Sequence, residues 1–396
     1  VAATSDSTSP YIFVYKWSSL FGFGTKYADP ATLPTASKCV AFKNDPSEDA
    51  IAVGMSASPY VHAYPWNIGG FGAKLSNPGT LPPGATNGIA FSPLRNAIAL
   101  ATATTPFINA YAWSVFGLGS KFSNPATLPA GTSASCVAFS PSGDAVAVGD
   151  NTSPFINVYP WSGSGFGTKF SNPATLPAGP VLSMDFSKDG KALALGVDVS
   201  LVPSTQCVIV YPWSSSGFGT KFSDPATSPT GDIGYGVKFS PDSSILAAVH
   251  TVSPYISAYP WSSAGFGTKF SAPTAMGGNG TGCAFSSNGT AFFGTHNGNP
   301  ALAAYEISGS GFGAKFSDPG TIPSAATNMA AGGSFSPTVK LGVSTASTSN
   351  AATYTTGTFT PKLGDLLIGI VSTSGTANDI SFTSTAGVNF VQHSSG

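Results

Sequence analysis

The sequence predicts an all-β fold, a seven-bladed β-propeller of four-stranded blades, and three observations lead to it. A tyrosine-centred motif recurs seven times, at Tyr15, Tyr64, Tyr111, Tyr159, Tyr211, Tyr259 and Tyr305, spaced 46–52 residues apart. Between successive tyrosines lie four short apolar or β-branched runs, each bounded by Gly, Pro, Ser or Asn, which is one supersecondary unit per repeat. The composition also opposes helix: charged residues are 8% of the 396, Glu48 and Glu306 are the only glutamates, and the chain carries 47 Gly and 32 Pro,.

The unit around Tyr159 serves as the specimen. Cys136 to Phe139 is a first strand, closed by the turn Ser140-Pro141-Ser142-Gly143,. Ala145 to Gly149 is a second strand, small and β-branched, and Phe155 to Trp161 a third. After the loop Ser162 to Gly165, Phe166 to Phe170 makes a fourth, and Asn172-Pro173 opens a Pro-rich connection to the next unit. Neighbouring blades cover both faces of a blade, so its inner strands should read as continuous apolar runs, as Ala50-Ile51-Ala52-Val53 and Ala192-Leu193-Ala194-Leu195 do,.

The order of pieces predicts how the ring closes. The chain opens on a third-and-fourth strand pair (Tyr11 to Pro30), and its last unit ends on a first-and-second pair (Gly332 to Val343). Together they complete one blade and remove an exposed edge. Residues 1–345 are thus expected to form the propeller, and 346–396 a β-rich extension that could start a further β-sandwich module. The sequence begins at Val1 without methionine or a signal-like segment, as expected of a processed chain or of a piece of a longer product,.

Phe139-Ser140-Pro141-Ser142-Gly143, Phe239-Ser240-Pro241-Asp242 and Phe91-Ser92-Pro93 resemble the first-to-second-strand turn of WD-repeat and YVTN-type propellers, over about residues 10 to 345. Tyr-Pro-Trp stands where a WD-repeat places Trp-Asp, so the hydrogen-bond network of that family is not carried over. The block Gly-Phe-Gly-Thr-Lys-Phe-Ser-(Asn/Asp)-Pro-Ala-Thr, at Gly165 to Thr175 and Gly217 to Thr227, resembles repeats in tailed-phage structural proteins. The stretch Pro361-Lys362-Leu363-Gly364-Asp365-Leu366-Leu367-Ile368 is similar to the opening of β-sandwich modules in phage fibres.

Several residue sets could carry chemistry. Trp17, Trp66, Trp113, Trp161, Trp213 and Trp261 share one repeat position, with Ile307 as the seventh. Six aromatic platforms would suit sugar rings and give avidity; packing at the end of the third strand is the plainer reading. Lys26, Lys74, Lys121, Lys169, Lys221, Lys269 and Lys315 form a second ring, either a cationic surface for a polyanionic glycan or a set of edge lysines that keep blades from pairing,. His250, His296 and Asp150 are equivalent positions read as exposed loop residues, and His62 as a packed strand residue. The four cysteines are expected to be free and mostly buried, since no two fall where Cα atoms approach within ~7 Å. The glycine block lacks the Gly-Lys-Ser/Thr ending of a phosphate loop and reads as a hairpin.

No nucleophile, base and orienting acid recur together, so the sequence reads as non-enzymatic, without cofactor or metal. Arg95 is the single arginine and net charge is −1, which argues against nucleic acid; no apolar run approaches the ~20 residues that span a bilayer, which argues against membrane insertion,. With the phage resemblance, these features lead to the expectation of a structural or adhesive propeller on a virion surface, a tail fibre or appendage. Its partners would be other virion proteins, copies of itself or a host-surface glycan. A cellular or secreted lectin-like propeller is the alternative.

Overall fold

The computed structural model describes residues 1–330, apart from 44–48, 95, 203–205, 230, 232 and 322–325. It contains seven four-stranded antiparallel sheets. The expected extension 346–396 and the strand pair Gly332 to Val343 lie outside the described residues. Six blades follow the chain directly, and their first strands are Ser37–Lys43, Thr86–Phe91, Ala134–Phe139, Val181–Phe186, Gly234–Phe239 and Gly280–Phe285; these are blades 1 to 6. In blade 3 the remaining strands are Ala145–Asp150, Ile156–Ser162 and the two-residue Gly165–Phe166, so the fourth strand is shorter than its sequence suggests.

The closing blade corrects one expectation. Three of its strands come from the N-terminal end of the chain, Ala2–Thr4, Ile12–Ser18 and Gly22–Lys26, and a single strand, Asn328–Ala330, comes from the far end of the ring. Ala2 pairs with Ala330 and Thr4 with Asn328, and Thr327 N–H donates to the Thr4 carbonyl at 2.8 Å. Ala2-Ala3-Thr4 escapes a sequence reading because it is three small residues with no Phe-Ser-Pro turn before it. The principle of closure stands: strands from opposite ends of the ring's sequence pair and leave no open edge.

Every second strand is buried along its length, as continuous apolar runs predict. Blade-to-blade packing at these strands follows a size rule. First-strand Cys39, Cys136 and Ser183 stand opposite Gly54, Gly149 and Gly196, whereas Gly88, Gly236 and Gly282 stand opposite Ala101, Val249 and Thr295. One member of each pair is glycine because the other side chain, with the next blade's backbone, fills the space. A Cβ on Gly149 would lie 2.7 Å from Cys136 Sγ and 2.8 Å from the Val181 carbonyl of blade 4. The same thiol points its weak donor at that carbonyl, 3.6 Å away. Gly149→Ala should therefore cost about 1–3 kcal/mol by overpacking. Adding Cys136→Gly should recover some of that loss, a coupling readable in a double-mutant cycle of urea unfolding.

Five of the seven tyrosines that mark the repeat tie their blade to the loop entering it. Tyr159 Oη donates to the Thr127 carbonyl at 2.8 Å, and Tyr64, Tyr211, Tyr259 and Tyr15 do the same to Thr32, Thr175, Thr227 and Thr321. Their rings are fully buried. Tyr159→Phe keeps the packing and removes the bond, so thermal unfolding should report a loss of about 1 kcal/mol. On the same end of the ring, the loops joining second to third strands in five blades carry Ser-Pro or Thr-Pro in cis, followed by an aromatic residue at positive φ (Tyr11, Tyr60, Phe107, Phe155 and Tyr255, φ 66 to 68), and blade 6 carries Asn299-Pro300 in cis. That aromatic donates its N–H three residues back, as Phe155 does to Thr152 at 2.8 Å.

Candidate functional site

The tryptophan ring is packed between blades. Trp161 meets Phe166 of its own fourth strand, Phe139 of its own first strand and Phe122 of blade 2, all edge-to-face with centroids 5.0 to 5.4 Å apart. Trp213 and Trp261 repeat the arrangement with Phe170 and Phe222 of the preceding blades, and Trp66 with Tyr27. Trp66, Trp113, Trp161, Trp213 and Trp261 are buried, and Trp17 is half-buried against Phe23, Phe293 and Phe316. The five buried indoles leave no open face for a sugar to stack on. The Gly of each Gly-Phe-Gly hairpin belongs to the same lock: Gly165, at φ +99, has Phe122 of blade 2 at 3.2 Å from where its Cβ would be.

The lysine ring turns inward on its own loop. Lys74 bonds Asn77 Oδ1 at 2.7 Å and Lys315 bonds Asp318 at 2.8 Å, and Lys26, Lys121, Lys169 and Lys221 hold Asp29, Asn124, Asn172 and Asp224 in the same way. Lys269, with Ala272 in the partner position, reaches the Ser228 carbonyl. The i+3 residue is reachable because the chain leaves the strand after the lysine. These ammonium groups clip the exit loop and are not arrayed as a free cationic surface.

The histidines correct a second expectation. His250 and His296 are buried strand ends, together with Asp150, and not exposed loop residues. Each sits beside a polar neighbour: His250 Nε2 lies 2.9 Å from Ser257 Oγ, Asp150 accepts from Asn157 at 2.8 Å, and Gly298 N–H donates to His296 Nδ1. Burial lowers both imidazoles to about 4 and raises the Asp150 carboxyl. His62, as expected, is packed, with Nδ1 3.1 Å from Tyr64 Oη. Among the described residues no three His, Cys, Asp or Glu side chains gather as a metal site. None of the four cysteines forms a disulfide, and burial pushes Cys39, Cys136 and Cys283 up to about 12, leaving them protonated and poor nucleophiles.

The distinctive chemistry lies where the seven first strands meet, around a central channel of about 550 Å³. Equivalent positions along these strands carry Ala41, Ala90, Ala138, Asp185, Lys238, Ala284 and Ala330. Five are alanine; the two that differ are in neighbouring blades 4 and 5. Lys238 Nζ donates to Asp185 Oδ1 at 2.8 Å, and Phe239 N–H donates to Asp185 Oδ2 at 2.9 Å. Burial works against the Lys238 charge, but the Asp185 carboxylate outweighs it and the ammonium is held above its ordinary pKa. The pair is not sealed: the Lys238 side chain is 39% exposed and that of Asp185 17%. Asn87, Ser135, Ser183 and Tyr235 add further polar groups to the wall. The pair escapes a sequence reading because its members are 53 residues apart; aligning the first strands of all units exposes it as the place where the alanine rule breaks.

No family model matches the sequence, and no curated protein does either. The ring does superpose on solved propellers. One is the periplasmic gluconolactonase PpgL of Pseudomonas aeruginosa, at 15% identity and TM-score 0.61, covering 80% of this chain and 94% of that one. Another is a candidate 6-phosphogluconolactonase of Bacteroides fragilis, at 13% identity and TM-score 0.64, covering 83% and 96%. A third, from Bacteroides uniformis, carries the same description, at 13% identity and TM-score 0.61, covering 78% and 91%. These comparisons correct the expectation of a non-enzymatic phage structural or adhesive protein, since the three propellers are named as a gluconolactonase and candidate 6-phosphogluconolactonases. Of the blocks that carried the phage resemblance, those at Gly165 and Gly217 are hairpin and exit-loop pieces of a propeller blade, and the stretch from Pro361 lies outside the described residues. At these identities the comparisons establish the seven-bladed fold alone.

Proposed function

We propose that the propeller is a hydrolase acting on a small polyhydroxylated lactone, with its reaction centre at Asp185 and Lys238 in the central channel. One observation carries this reading: in a belt of seven equivalent positions, five hold alanine and the other two hold an acid and a base side by side. A channel of about 550 Å³ is within the range of small-molecule sites, and its mixed wall offers donors and acceptors to hydroxyl groups. The names of the similar propellers support the choice of a sugar lactone as substrate. A location outside the cytoplasm accords with the periplasmic enzyme among them.

The chemistry follows from the donor inventory. An ammonium has three N–H donors, and Asp185 takes one, leaving Lys238 able to bind a lactone carbonyl oxygen,. As water attacks the acyl carbon, Asp185 accepts its proton and Lys238 stabilises the oxyanion. Collapse of the tetrahedral intermediate breaks the ring C–O bond, the proton goes to the departing ring oxygen, and a hydroxy acid results. The test is hydrolysis of δ-gluconolactone followed by proton release, above the spontaneous rate. D185A/K238A places in blades 4 and 5 the alanine that the other blades already use, so it should stay folded. It should lower the rate about 10²–10⁴-fold, the usual contribution of acid–base groups. A folded wild-type chain that opens no sugar lactone, or a double variant of unchanged activity, would refute the reading.

A further inference from the structure

The hairpins joining third to fourth strands lie together on the end of the ring opposite the cis-proline loops. In blades 3 to 6 their tips are small or polar: Gly163-Ser164, Ser215-Ser216, Ser263-Ala264 and Gly309-Ser310. In the closing blade and blades 1 and 2, which are consecutive around the ring, the tips are Leu20-Phe21, Ile68 and Val115-Phe116. All are exposed, Phe21 at 81%, Phe116 at 79% and Leu20 at 76%. The blades are adjacent because Tyr27 of the closing blade packs on Gly70 of blade 1, and Leu75 of blade 1 on Gly117 of blade 2. The two-residue turn of blades 1 and 2 needs none of these apolar side chains, since blades 3 to 6 make it without them, and the closing blade's turn differs by one added residue, Ser19.

From this we infer that the arc is an interface with a second copy of this chain, formed end to end about a two-fold axis. The arc is symmetric in its chemistry, with an aliphatic–Phe pair on each side of a lone isoleucine. A two-fold interface requires that when residue i meets residue j, j also meets i. An axis running radially through the Ile68 hairpin sets Ile68 against its equivalent, and Phe21 against Phe116 of the other copy, twice. A partner of different shape would have no need of this palindrome. Net charge is −1, so two copies meet without strong like-charge repulsion,. Exposed phenylalanines in the arc supply the aromatic anchors that protein interfaces favour at their centres.

Sedimentation velocity on the full chain at micromolar concentration tests this. A dimer is expected, and F21S/F116S, which installs the serine used by other blades, should raise its dissociation constant about a hundredfold or more while the far-ultraviolet spectrum stays unchanged. I68C should form a disulfide-linked dimer under mild oxidation, because the axis places the two new thiols together, Cys39, Cys207 and Cys283 are buried, and the half-buried Cys136 faces the Val181 carbonyl at the central channel. A wild-type monomer throughout the concentration range would overturn the inference, as would a dimer unaffected by F21S/F116S or one in which I68C does not cross-link. Sedimentation of a monomeric chain with phosphatidylcholine vesicles, lost in F21S/F116S, would reassign the arc to a lipid surface and equally overturn it.

Discussion

Trp161→Ala should destabilise the ring by about 3–5 kcal/mol, the usual cost of emptying a buried large aromatic site. The indole lies among Phe122, Phe139 and Phe166, rings from two blades, so its removal opens a cavity at a joint where neither blade can collapse alone. Edge-to-face pairs add about 0.5–1.5 kcal/mol each beyond buried area, which places the loss toward the upper end of that range. Guanidinium unfolding of the variant measures it. An effect below about 1 kcal/mol would mean that the indole is a surface feature and would reopen a binding role for the tryptophan ring. Trp161→Phe should recover some of the loss, because a smaller ring still touches Phe122 of blade 2.

The same residues show how far the fold is legible in sequence. Tyr159, Trp161 and the Gly165-Phe166-Gly167 turn recur at nearly fixed offsets, and recurrence is what a ring of equal blades requires of its sequence. Strand number, strand order and the continuous apolar second strands follow from that. What recurrence cannot show is which residue of one unit touches which residue of the next. Phe122 lies 39 positions before Trp161, and Cys136 meets the Val181 carbonyl 45 positions later. Regular spacing of Trp and Lys therefore reads in sequence as a possible ligand array, although inter-blade packing and loop clips impose the same spacing. In a ring of near-identical units, what every blade shares is mostly structural. Departures from the repeat are more telling: Asp185 and Lys238 against alanine in the channel, and Phe21, Ile68 and Phe116 against serine and glycine at the rim. Ala2–Thr4 escapes notice for the opposite reason, being too short to display the repeat at all.

The protein should lose stability steeply between pH 6.5 and 4, because burial holds three imidazoles, His62, His250 and His296, down to about 4. His250 and His296 are buried at equivalent strand ends, and burial lowers both from 6.5 to about 4. An imidazole whose folded pKa lies below its unfolded value binds its proton more readily in the unfolded chain. Its neutral form therefore contributes fully above pH 6.5, and stability falls as pH drops from 6.5 toward 4, levelling off below. The size is at most about 3 kcal/mol per imidazole, from 1.36 kcal/mol per pKa unit. Asp150, whose carboxyl is raised by burial, acts in the opposite direction: its buried charge is relieved as pH falls, so it offsets some of the loss at the acid end. Blade 2 shows a remedy that does not titrate, with Thr102 at the same position accepting from Asn109 at 3.0 Å. H250T/H296T should accordingly flatten part of the acid limb of a plot of urea-unfolding free energy against pH, His62 supplying the rest. It should also carry a pH-independent loss of stability, since threonine is too short to replace the contact that His250 Nε2 makes with Ser257,. An acid limb equally steep in that variant would move the source of acid sensitivity to groups other than these histidines.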